Sequence, residues 1–197
     1  TVIQYNDRPF AATLEVVHFM HSINRESSLF LSGKLRLGIM GPAAGGQQIQ
    51  QKIHDWINSP NPYGWDYQIS NDIIVNYDFC ASYPFYHNNF NKVALVGKAR
   101  IGTLFDDIAA GLSYVISEDQ FISSENNEAS INNGKRRIKP FFRSEAEARM
   151  VIYNATLQGG MFSKHIPYAL KSEDISKLLF TASLNGGILW QGISLSY

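Results

Sequence analysis

A strict two-residue alternation, sustained over stretches longer than an ordinary globular strand, limits this chain more than any other feature. From residue 29 to residue 40 one row reads Leu29, Leu31, Gly33, Leu35, Leu37 and Ile39. The other reads Phe30, Ser32, Lys34, Arg36, Gly38 and Met40. Successive side chains of a strand point to opposite faces, so this pattern makes one apolar and one polar face. Residues 93–104 repeat it, with Val93, Leu95, Ala99 and Ile101 against Lys98 and Arg100. So do Ile73, Val75, Tyr77 and Phe79 against Asp72, Asn76 and Asp78, and the series Ile108, Ala110, Leu112, Tyr114 and Ile116. Leu189, Ile193, Leu195 and Tyr197 alternate with Gly192, Ser194 and Ser196. The pattern predicts eight strands, near 10–22, 27–40, 69–82, 90–104, 107–117, 147–158, 175–185 and 188–197.

Alternation alone does not say which row meets water. A soluble barrel turns its apolar row inward and a membrane barrel turns it outward. Strand length favours the second, because a tilted spanning strand needs about 9–11 residues and globular strands are usually shorter. The expected fold is therefore all-β, an antiparallel transmembrane β-barrel forming one domain over 1–197. Glu15, Lys34, Arg36, Asp72, Asp78, Lys98 and Arg100 fall on the polar row and carry both signs, so they can neutralise one another in a filled lumen. On a soluble barrel the same residues would be a solvated outer face. Tight turns are expected at Asn24-Arg25 and Phe105-Asp106-Asp107, and long connections at 41–68 and 118–146. Strand counting puts the two long connections at opposite ends, where a membrane barrel usually keeps one end short. Either an extra strand lies near 138–143 or the long loop is tolerated.

Composition narrows function by exclusion. The 17 basic and 17 acidic residues give a formal charge of zero, which argues against a nucleic-acid partner drawn by a basic field. Cys80 is the single cysteine, so there is no internal disulfide and no thiolate zinc site. His18 and His21 are an odd number apart and point to opposite faces of a strand. No apolar run approaches a membrane helix, and Thr1 onwards lacks a signal-peptide pattern, as expected of a mature chain or an internal fragment. A Gly-x-Ser-x-Gly elbow and a phosphate-cradling glycine loop are both missing.

The chemistry-bearing segment is Gly41-Pro42-Ala43-Ala44-Gly45-Gly46 followed by Gln47 to Asn58, which reads as one short helix in a loop. Gln50 and His54 are four apart and share a helix face, just before Gly64-Trp65-Asp66-Tyr67-Gln68-Ile69. A helix-end histidine held by the nearest polar group is the plain reading of that pair. A site is the other, with the amide fixing the tautomer of the imidazole and the Trp-containing loop supplying walls.

This run resembles the lipid A 3′-O-deacylase family, outer-membrane β-barrel enzymes of Gram-negative bacteria. Asp7-Arg8-Pro9-Phe10-Ala11, Gly41 to His54, Gly64-Trp65 with Gln68-Ile69, and Thr156-Leu157-Gln158-Gly159-Gly160 match in order. The resemblance implies that His54 is the general base on a water, with Gln50 beside it, and that lipid A or lipopolysaccharide among outer-membrane lipids is the substrate. It implies a divalent cation, calcium, whose ligands it does not locate here, and a monomer. Lys34 and Arg36 are candidates to bind phosphate or an oxyanion, with lumen charge pairing as the other reading. Tyr63 stands one position from a family tyrosine, and Trp65 is either a substrate wall or part of an interfacial aromatic girdle. A family Asn-Asp pair precedes the Asp-Arg-Pro motif, which here starts at residue 7. The chain is therefore expected to be part of a longer barrel, about eight of roughly twelve strands, and inactive alone because open strand edges are prohibitive in lipid. A barrel serving only as a channel or structural protein is the non-enzymatic alternative.

Overall fold

The computed structural model describes residues 7–24, 26–117, 139–163, 169–190 and 193–196, the last strand as backbone only. Eight antiparallel strands form one sheet in sequence order, with β1 and β8 at its edges. They are β1 (Thr13–Ile23), β2 (Phe30–Met40), β3 (Asp72–His87), β4 (Asn91–Gly102), β5 (Phe105–Ser117), β6 (Lys139–Asn154), β7 (Leu178–Trp190) and β8 (Ile193–Ser196). Helix α1 (Gly46–Trp56) lies between β2 and β3, and the single turn α2 (Ala155–Gln158) follows β6. None of the described helices is long and apolar enough to cross a membrane.

The strand pattern holds, with four corrections. β7 runs on to Trp190, where a new strand was expected from 188, so β8 begins only at Ile193. β6 begins at Lys139 rather than at 147, so the segment near 138–143 belongs to β6 and is no extra strand. Its first residues pair with both β5 and β7, as in Phe141 opposite Ser117 and Gly187. The strand also ends earlier than expected, at Asn154. The Asn154 side chain accepts a hydrogen bond from the Thr156 backbone N–H at 3.0 Å, capping α2 where the alternation had suggested more strand. The β4–β5 turn is Thr103-Leu104, ahead of the expected Phe105-Asp106-Asp107. Asn76 fixes it, its carbonyl oxygen accepting from the backbone N–H groups of Leu104 and Phe105. The long polar connection expected after β5 falls at 118–138, outside the described residues.

Burial inverts the rule of a water-soluble core. Outer-row residues are exposed, with Ile101 at 69% and Phe180 at 78%, while inner-row Asn76 is 1% exposed. Such a continuous apolar exterior requires a nonaqueous surrounding. On the inner row, register aligns opposite charges. Arg36 donates to Asp78 at 2.8 Å and to Glu15 at 3.2 Å. Lys98 bridges Glu145 and Glu147, and Arg149 joins Glu147 at 2.6 Å to Asp107 at 2.5 Å. Arg100 also ends on Asp107 and lies over the Phe105 ring, 4.1 Å from its centroid. With Lys34, five basic side chains share this part of the inner row with the five acids Glu15, Asp78, Asp107, Glu145 and Glu147, so these ten charges balance, while Lys92 and Arg143 add positive charge further along the row.

Met40, Ile69, Ile74, Leu104 and Ala155 close the inner side at the end carrying α1. Buried Asp72 binds the β6–β7 connection there. It accepts from the backbone N–H groups of Ile73 at 2.7 Å, Phe162 at 2.8 Å and Ser163 at 3.2 Å. Tyr153 donates its hydroxyl proton to the Gly159 carbonyl at 2.6 Å. A Cβ on Gly160 would overlap the Asp72 carboxylate. Gly160→Ala is therefore expected to cost about 1–3 kcal/mol, read as a lower urea midpoint for the refolded barrel.

Candidate functional site

The site segment begins where β2 stops. Gly41 at φ 97° and Gly45 at φ 76° adopt backbone conformations that L side chains disfavour, and a single 3₁₀ turn, Pro42–Ala44, sits between them. The Asn71 side chain accepts from the Ala43 N–H at 2.8 Å, and Gly41 N–H donates to the Ala12 carbonyl at 2.8 Å. Gly45 then caps α1. The first helical residue, Gly46, sits where a Cβ would lie 2.5 Å from Ala12 and 3.0 Å from the Trp65 ring, so a glycine lets the helix start against that ring.

At the other end of α1, Asn58 takes the left-handed conformation at φ 55° and turns the chain back. Ser59 N–H donates to the His54 carbonyl at 2.8 Å, and the Asn61 amide donates to Asp55 at 3.1 Å. This return brings the Pro60 carbonyl to 2.6 Å from His54 Nδ1. A carbonyl can only accept, so Nδ1 carries the proton of the neutral ring and Nε2 keeps its lone pair. The half-buried imidazole is thus fixed in the tautomer a general base requires, by a backbone group that composition could not reveal.

Gly64, at φ 123°, delivers Trp65 into a pocket formed with Phe10, Ala12, Ala44 and Ile39. The Phe10 and Trp65 rings are 4.9 Å apart and tilted by 48°. Trp65 donates its indole N–H to Gln50 Oε1 at 2.9 Å. An indole nitrogen only donates, so the bond sets the amide orientation and turns the Gln50 NH₂ end away from Trp65. Gln50 is therefore oriented by Trp65, and His54 by Pro60.

Placement relative to the wall follows from parity. Ile39 belongs to the outer row of β2, so the Trp65 cluster, and α1 with it, is anchored on the outward side of the rim. Lys34 and Arg36 stand on the inner row, Lys34 opposite Asp78 in register and Arg36 held by Asp78 and Glu15. The structure holds Gln50 and His54 on one helix, with Trp65 from the following loop bonded to Gln50, and places Lys34 and Arg36 on the opposite face of the wall. Tyr63 is exposed beside the helix. Sequence reasoning missed Pro60 and the packing glycines Gly46 and Gly64. Only the positive-φ tendency of Gly64 before an aromatic residue could have signalled part of this.

Calcium, the cation implied by the sequence resemblance, needs several oxygen donors. No group of three or more His, Cys, Asp or Glu side chains able to hold a metal is gathered among the described residues. These residues do not fit such a site by themselves, and no chemical step is routed through one.

No curated protein sequence matches the chain. Its fold is similar to that of LpxR from Salmonella typhimurium, with a TM-score of 0.80 and 23% sequence identity. The match covers 97% of this chain and 66% of that one, so this chain spans just under two thirds of that structure's length. At that identity the likeness establishes an outer-membrane type of barrel fold and nothing finer. A family model described as outer membrane protein LpxR matches residues 1–197. With its apolar outer row, its charge-paired inner belt and its helix loop matched from end to end, the chain belongs to the outer membrane protein LpxR family of Gram-negative bacteria.

Proposed function

We propose that the protein is a lipid A deacylase-type esterase of the outer membrane that cleaves a 3′-linked acyl ester by activated water. The observation that supports this best is the His54 ring, whose Nδ1–H is committed to the Pro60 carbonyl and whose Nε2 is left as a base. In the proposed step Nε2 takes a proton from water as its oxygen attacks the ester carbonyl carbon. The Gln50 NH₂ group donates to the resulting oxyanion, since its carbonyl is already engaged by Trp65. The imidazolium then protonates the departing sugar oxygen, giving a free fatty acid and a sugar hydroxyl. No acyl-enzyme is formed. Lys34 and Arg36 serve in this reading as members of the inner charge belt, and calcium, lipopolysaccharide and a monomeric state remain proposals carried by the resemblance.

The test is the mass spectrum of lipid A from Gram-negative cells expressing the full-length protein in the outer membrane. Loss of one ester-linked acyl chain supports the reading. Unchanged lipid A with a folded barrel, together with ion conductance in planar bilayers, would carry the channel alternative instead.

Trp65 supplies a finer prediction. Trp65→Phe keeps the ring packing on Phe10 but removes the donor to Gln50. The hydrolysis rate constant is expected to fall by about 10- to 100-fold, as for a displaced transition-state donor, with the acidic limb of the pH profile, which the general base sets, unmoved. A parallel loss of folded protein would mean that the indole acts only in packing.

A further inference from the structure

Helix α1 has a face that the proposed chemistry does not use. Ile49, Ile53, Trp56 and Ile57 are spaced four, seven and eight residues on from the first, which lines them up as one apolar stripe. All four are exposed, Trp56 at 86%, and no residue of α1 is buried. Gln50 and Lys52 flank the stripe on its two sides, His54 lies further round beyond Gln50, and Gln48, Gln51 and Asp55 occupy the opposite side. A helix with a strong apolar face, modest overall hydrophobicity and no described residue burying that face is suited to lie in a membrane interface.

The occupant of the stripe follows from where the helix is tied. Its anchors, Ala12, Ala44 and Trp65, pack on Ile39. Ile39 continues the outer row of Leu35 and Leu37 and is paired across the sheet with Leu14 and Ile73. Leu37, Leu14 and Ile73 are exposed on the lipid-facing exterior. The apolar face of α1 thus continues a surface already committed to acyl chains. We propose that α1 is an interfacial helix lying flat in the leaflet at its end of the barrel, with the stripe seated among the acyl chains, Gln50 at their margin and His54 one step further round toward the polar side. This rests on the outer-membrane assignment and not on hydrolysis, so either can fail without the other.

Trp56 is its own reporter. The full-length protein and its Trp56→Phe variant would be reconstituted in phosphatidylcholine vesicles, and the difference between their emission spectra taken as the Trp56 signal. Chains brominated near the glycerol end are expected to extinguish that signal, chains brominated near the methyl end to affect it weakly, and aqueous iodide to leave it unchanged. Quenching by iodide without quenching by brominated chains would place the helix in water and overturn the proposal. Protection from both would show the stripe covered by protein and overturn it equally. A second reporter, Ile49→Trp in the Trp56→Phe background, is expected at the same depth. A depth differing by about 10 Å, the rise over seven helical residues, would mean an upright helix and also sink the proposal. Both substitutions fall on exposed positions, and heat-modifiable gel mobility verifies that the barrel has folded.

Discussion

Replacing His54 with alanine is expected to slow removal of the lipid A acyl chain by about 10²- to 10⁴-fold, the contribution of a positioned general base. The barrel should fold as before. The imidazole is half-buried at the outward rim, and its one described side-chain bond is to the Pro60 carbonyl. Losing that bond should loosen the 58–62 return without touching the wall. The comparison is made by lipid A mass spectrometry on membranes with equal amounts of folded wild type and variant. Equal deacylation in both would remove His54 from the mechanism. His54→Asn sharpens the test, since its amide NH₂ sits where Nδ1 does and can still donate to the Pro60 carbonyl but cannot act as a base. If it restored the rate, His54 would matter for shaping the loop and not for taking a proton.

The second large effect lies across the wall. Asp107 is 1% exposed and receives two guanidiniums, Arg100 through Nε at 2.8 Å and Arg149 through Nη1 at 2.5 Å. Asp107→Ala would leave both cations in a confined lumen without their shared anion. Breaking such a pair from one side costs about 3–5 kcal/mol, because the uncompensated charge and not the lost attraction dominates. A fall of that size should appear in urea unfolding of the barrel in vesicles. Adding Arg149→Met to Asp107→Ala should recover part of it, since one stranded charge goes. Hydrolysis per folded molecule is expected to change little in either variant, as the belt faces the lumen and α1 is tied to the outer row. The same logic makes Arg36→Met a costly change for the belt and a mild one for catalysis. A large selective loss of activity there would instead support the phosphate- or oxyanion-binding expectation for Lys34 and Arg36.

Much of the architecture was legible in the residues because a strand records its two environments at every second position. Seven strand positions were read to within a few residues, and β6 shows why one was not. Its opening Lys139-Pro140-Phe141-Phe142 breaks the alternation, since Phe141 is buried on the inner row beside outer-row Phe142. Hydrogen bonding to β5 and β7 overrides that weak local signal. At the far end of the strand, Asn154 is a recognisable helix cap whose meaning depends on Leu104 accepting from the Ala155 N–H at 2.9 Å.

By itself the sequence determined that the wall has a charged face and an apolar face, and that Gln50 and His54 share a turn of helix. Both are local consequences of repeat spacing, 2 for a strand and 3.6 for a helix. Only the tertiary structure decided which side of the wall the helix occupies, because that depends on Trp65 packing against Ile39 from a distant loop. It alone also assigned Gln50 and His54 their partners. Gln50 faces an indole instead of the histidine one turn away, and His54 faces a carbonyl that every residue possesses and that only the chain's path brings within 2.6 Å.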